Sequence, residues 1–138
     1  MADARETLNR MYDAWAKGDA DAFGGLLAED YVDHNPTPGF ADDKEGAKQF
    51  LTATMSATKD VDMNVEHIIV NGDTGAAHYT IEWTQVGDFM GMVPADGKRL
   101  VMRGHDFVRF KDGLIAELWH CEDLFGIMGQ LGLIPQGG

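Results

Sequence analysis

The sequence predicts an α+β domain in which helices come first and lie on one face of a mainly antiparallel sheet. Two observations carry this. Before residue 61 apolar residues recur with a period near 3.6, and from residue 61 onward they alternate with a period of two. The turn pairs Asn71-Gly72 and Asp112-Gly113 then fall between long alternating runs, as hairpins require. With 138 residues, 44% hydrophobic and 25% charged, the chain fits one domain over residues 1–138 with a core of its own.

The first helix covers residues 4–17, where Leu8, Met11, Tyr12 and Trp15 make one apolar stripe. Gly18 closes it and Asp19 is a natural cap for a second helix, in which Phe23, Leu26 and Leu27 repeat the spacing. Pro36 breaks the chain out of helix through Asp33-His34-Asn35. A third helix begins near Asp42, with Glu45 as a capping-box partner, and buries Ala47, Phe50, Leu51 and Thr54. Long strands follow over residues 61–70, 75–86, 99–110 and 114–122, with a loop at residues 87–98. Leu124, Ile127, Met128 and Leu131 mark a short last helix.

Charge and composition exclude several classes. A net charge of −12 disfavours nucleic acid and anionic membranes as partners. The single Cys121 excludes an internal disulfide and any paired-cysteine metal or redox site. The start of the chain lacks the basic and apolar segments of a leader, so a cytoplasmic protein is expected. No four-ligand metal cluster, phosphate-cradling glycine loop or nucleophile with its base is visible, so neither metal nor cofactor is expected.

Three stretches carry a family resemblance. They are Tyr31-Val32-Asp33-His34-Asn35-Pro36, the loop Gly87 to Lys98, and Arg103-Gly104-His105-Asp106-Phe107-Val108-Arg109-Phe110 with Asp112 to Trp119 and Asp123 behind it. The chain resembles the SnoaL-like polyketide cyclases, within the superfamily built like nuclear transport factor 2. The resemblance implies a cone-shaped α+β roll, three N-terminal helices on a curved sheet that encloses an apolar pocket. It also implies a homodimer through the sheet's outer face, which by phase would carry Leu100, Met102, Leu114 and Leu118. The implied activity is an intramolecular aldol-type cyclisation of a hydrophobic carbonyl compound, with no metal or cofactor. Isomerases, dehydratases, epoxide hydrolases and non-catalytic binding modules share the architecture and stand as alternatives.

The same resemblance assigns site residues. Asp123 matches the family's general acid/base and His105 the histidine that supports it. Asp123 follows Ile115, Trp119 and Cys121 in phase, which would place it and Trp119 on the concave side and turn His120 away. Asp123 also stands where a helix N-cap belongs, and His105 is also a candidate structural partner of a nearby acid. His120 occupies a position that is commonly acidic in the family. His34 and Asn35 are expected to bind substrate, although Asn-Pro is equally a turn initiator. Tyr12 and Trp15 are expected as core that doubles as pocket wall. Trp83, Phe89, Met90, Met92 and Trp119 supply flat or adaptable lining for a fused-ring ligand. His67 and His78 read as structural.

Overall fold

Local side-chain chemistry fixes the helix ends in the computed structural model, which describes residues 3–88 and 94–135. Asp3 caps α1 (Ala4–Lys17) by accepting from the Arg5 N–H, and Gly18 ends it at a φ of 68° that favours glycine. Asp19 caps α2 (Ala20–Gly25) in the same way. At α3 (Lys44–Ala57) the cap is Asp43, bonded to the Gly46 N–H at 2.8 Å, in place of an Asp42–Glu45 box. A Cβ on Gly46 would lie 2.1 Å from the Ala41 carbonyl oxygen, so the tight entry needs glycine there.

Five strands form one sheet in the order β1-β5-β4-β3-β2. β2 (Thr58–Asn71), β3 (Thr74–Gln85), β4 (Arg99–Lys111) and β5 (Leu114–Glu122) are the expected antiparallel meander. The first strand was not expected: β1 (Leu27–Asp33) runs parallel to β5. Leu26 and Leu27 therefore do not continue the second helix. Gly24-Gly25 is a poor helix interior, and burying Leu27, Ala28 and Tyr31 in a strand recovers apolar contact. A short α4 (Leu124–Gln130) follows β5, and its Gln130 side chain bonds the Val101 N–H and C=O, continuing the ladder where β5 has ended.

Leu8, Met11 and Tyr12 of α1 pack on Tyr79, Val108, Phe110 and Ile115 and form the core. In β4 the helix-covered face carries Leu100, Met102, Gly104, Asp106, Val108 and Phe110, while Val101, His105 and Phe107 look outward. The outer face thus differs from expectation. Leu100 is fully buried, and Met102 and Leu118 pack against the core. The exposed apolar side chains there are Ile69, Val101, Phe107 and Trp119.

Two bulges explain why counting by twos failed. In β5 the register passes from Glu117↔Arg109 to Ile115↔Phe110, so Ala116 is extra and every later side chain changes face. Ile115 is buried, yet Trp119, Cys121 and Asp123 are outward. In β2 the irregularity between Val65 and His67 does the same. Val61, Met63 and Val65 face the core, and past the break Ile68 and Val70 take over while Ile69 is 68% exposed.

Candidate functional site

A buried acid lies in the middle of the helix-covered face. Asp106 is in phase with Leu100, Met102, Val108 and Phe110, so the strand that buries them buries its carboxyl as well. The Tyr12 hydroxyl donates to Asp106 Oδ2 at 2.7 Å from the apolar stripe of α1. Burial pushes the Asp106 pKa up to about 6, even though the Tyr12 bond pulls the other way. Tyr12, Tyr31 and Tyr79 are all buried, and desolvation raises each phenol far enough to keep it neutral. Gly104 makes room for this arrangement, because a Cβ there would come within 2.3 Å of the Tyr79 ring.

A histidine between two carboxylates stands beside that acid. His120 is the cross-strand neighbour of Asp106. Its Nδ1 lies 2.6 Å from Glu122 Oε1 and its Nε2 3.1 Å from Asp33. Burial alone would lower its pKa, but the two hydrogen bonds and the two negative charges push it up to about 10. At neutral pH it is therefore an imidazolium donating from both nitrogens. The His120, Asp33 and Glu122 side chains retain 13%, 15% and 25% of their surface, so this end of the site meets solvent while Asp106 lies deeper.

Asn35 fixes the histidine from behind. Its side-chain carbonyl accepts from the His120 N–H at 3.0 Å and its amide donates to the His120 carbonyl, prolonging the parallel β1–β5 pairing past Asp33. Asn35 thus clamps the backbone of His120.

The other expected site residues divide between the two faces. Asp123 is exposed and accepts from the Gly126 N–H at 2.9 Å as the N-cap of α4. His105 is exposed on the outer face, stacked on His78 with ring centres 4.6 Å apart. Trp119 is also outward, stacked on His34, whose Nε2 lies 2.9 Å from Glu117. The expected orientations of Trp119, Asp123 and His120 are corrected: Trp119 lies opposite the helix-covered face, Asp123 is exposed just past the end of β5, and His120 lies on the helix-covered face. Tyr12 does reach the site. Trp15 packs instead between Phe23 and Phe50 among the helices. Trp83 borders the core, its indole N–H donating to Gln85. Phe89, Met90 and Met92 lie outside the described residues.

Sequence reasoning missed Asp106, Asp33, Glu122, Tyr31 and Tyr79. The signal was present at Asp106: an acid in phase with four large apolar residues of one strand, two on either side. A carboxyl forced into that phase is either paired or functional. Among the described residues no helix is long and apolar enough to cross a membrane.

Comparison with known proteins follows the same outline. Residues 5–131 match the family model of SnoaL-like polyketide cyclases. TsrD from Streptomyces laurentii is similar in structure, with a TM-score of 0.86 and 27% identity over 97% of this chain and 100% of that one. IdmH from Streptomyces antibioticus, named as a candidate polyketide cyclase, gives a TM-score of 0.81 and 29% identity over 95% and 99%. AclR from Streptomyces galilaeus, named as a candidate hydroxylase, gives a TM-score of 0.83 over 98% and 88%, and its 22% identity speaks to the fold alone. No curated protein sequence matches the chain.

Proposed function

The chain belongs to the SnoaL-like polyketide cyclase family, and from that premise we propose that it closes a ring in a hydrophobic carbonyl compound by aldol-type acid–base chemistry. The observation that carries the reading is the pair Asp106 and His120, a buried carboxyl poised near neutrality beside an imidazolium. Ring closure of this kind needs a base for the proton next to a carbonyl and a positive donor for the oxygen that gains charge. Asp106, half or more ionised at pH 7, takes the proton. His120 stabilises the enolate oxygen, which can replace Asp33 at Nε2, the longer of the two bonds. Tyr12 holds Asp106 Oδ2 and leaves Oδ1 to act. As the new carbon–carbon bond forms, the attacked carbonyl becomes an alkoxide, and Asp106 returns its proton to that oxygen. The roles expected for Asp123 and His105 thus pass to residues one position away from His105 and three from Asp123.

The test needs no natural substrate. Aromatic 1,3-dicarbonyl compounds in deuterium oxide should exchange the hydrogen between their carbonyls faster with the protein than without it. Asp106→Asn should lower the enzymatic rate by about a hundredfold or more, and His120→Gln by a similar factor. Both variants should keep the parent circular dichroism spectrum. A folded Asp106→Asn protein that exchanged at the parent rate would remove Asp106 from the chemistry.

A homodimer through the outer face is part of the same proposal. Ile69, Phe107 and Trp119 are exposed there together, around an open depression of about 460 Å³. Light scattering should give twice the chain mass for the parent and a single mass for Trp119→Glu. A monomeric parent at micromolar concentration would refute it.

A further inference from the structure

The β2–β3 margin of the outer face holds a grouping that the proposed chemistry does not use. The bulge in β2 puts Glu66 and His67, adjacent in sequence, on the same side of the sheet. His78 of β3 stands opposite His67. One ligand atom from each of the three residues lies within 4.8 Å of the other two. His67 Nδ1 and His78 Nδ1 are 3.3 Å apart, and His78 Nδ1 is 3.4 Å from Glu66 Oε2.

We propose that Glu66, His67 and His78 form a binding site for a divalent transition-metal ion of the zinc class. The spacing is that of neighbouring ligands on a tetrahedral ion: with metal–ligand bonds of about 2.0–2.1 Å, adjacent donor atoms lie about 3.3 Å apart. The donor set of two imidazoles and a carboxylate suits zinc, cobalt, nickel or copper and is a poor match for magnesium or calcium. Three protein ligands leave a further position for water or another donor.

The surroundings orient the ligands as a metal site would. Thr80 donates its hydroxyl to Glu66 Oε1, which fixes the carboxylate and aims Oε2 at His78. His105 stacks flat on His78, with 7° between the ring planes, and sets the ring's plane from its other side. His78 Nδ1 carries either a hydrogen or a lone pair, so it can donate to Glu66 Oε2 or accept from His67 Nδ1 but cannot do both. A cation among the three atoms takes a lone pair from each and resolves that conflict. The net charge of −12 draws cations to the whole surface.

Zinc chloride titrated into the full chain at pH 7.5, in a non-chelating buffer with calorimetric detection, should saturate at one ion per chain. His78→Gln should weaken binding by at least about a hundredfold and Thr80→Val by about tenfold, since second-layer partners typically contribute 10- to 100-fold. Cys121→Ser should leave the affinity close to that of the parent. In the unsubstituted protein, long-range nitrogen–proton NMR should show the Nδ1 resonances of His67 and His78 moving together on zinc addition. That readout stands even where a variant fails to fold. No saturable binding, loss of binding in Cys121→Ser, or equal competition by magnesium would each overturn the proposal.

Discussion

The two faces of the sheet carry the same kinds of side chain and do opposite things with them. On the helix-covered face Asp106 is buried and its pKa rises to about 6. On the outer face Glu117 meets water, and hydrogen bonds from Arg109 and then His34 hold it below the ordinary carboxylate value. Glu66 is lowered in the same way by Thr80. A carboxylate surrounded by donors near water is stabilised as an anion and makes a strong ion pair or ligand, but a weak base. One taken away from water with a single phenolic donor is pushed toward neutrality, where it can exchange protons at physiological pH. The histidines divide likewise: His120 sits between two carboxylates, whereas His67, His78 and His105 stack on one another across three strands.

The largest expected effect separates the faces directly. Asp106→Asn should cost about a hundredfold or more in turnover, whereas Glu117→Gln should cost about twofold or less, as expected for a solvent-facing pair. Steady-state rates of the two variants on one substrate check this. Equal losses would erase the distinction.

The pH profile follows from the same contrast. Activity should require ionised Asp106 and protonated His120, giving a bell with apparent limbs near 6 and 10. Stability moves too. His120 is raised from 6.5, so its contribution is complete below pH 6.5 and is lost as pH rises through about 10. Asp106 is raised from 3.8, so folding is favoured most below pH 3.8 and that advantage is lost as pH rises through about 6. Asp106→Asn should accordingly melt higher than the parent at pH 8 while losing activity, and a lower melting temperature would contradict the burial account.

Tyr12→Phe removes the hydroxyl that faces Asp106 and should destabilise by about 1–3 kcal/mol, measured by urea unfolding. Because the Tyr12 bond lowers the Asp106 pKa, its loss should move the acid limb of the activity profile upward. An unmoved limb would mean that Tyr12 and Asp106 are not coupled. The smallest effect is expected at the end of β5. Asp123→Ala should cost about 0.5–2 kcal/mol as a lost N-cap and leave turnover at the parent level. A large loss of turnover there would return Asp123 to the chemistry.

Much of the fold was legible because it rests on local chemistry. Asp19 and Gly18 mark helix ends, and Asn71-Gly72 and Asp112-Gly113 mark turns, through capping and positive φ that depend on a few neighbours. The family outline was legible for the same reason, since its signatures lie in contiguous strands and loops. The site was legible only in part. Tyr12 came out of the helical stripe, but Asp106 was passed over although its phase with Leu100, Met102, Val108 and Phe110 was visible. Asp123 came from the family resemblance, and its expected placement on the concave side came from the phase of Ile115, Trp119 and Cys121, a count that crosses the bulge in β5.

What the sequence determined by itself is the order and type of most elements, the caps at Gly18 and Asp19, the hairpin turns and the acidic character of the chain. All of these are set by neighbours within a few residues or by simple counting. Tertiary structure decided which face each strand shows, because one extra residue at Ala116 or Glu66 reverses every side chain beyond it. It also decided that Leu27–Asp33 is a strand, since a parallel partner eighty-odd residues away supplies its hydrogen bonds. The chemistry depends on both decisions. Only when β1 lies beside β5 does Asp33 reach His120, and only after the bulge does His120 turn toward Asp106 in place of solvent.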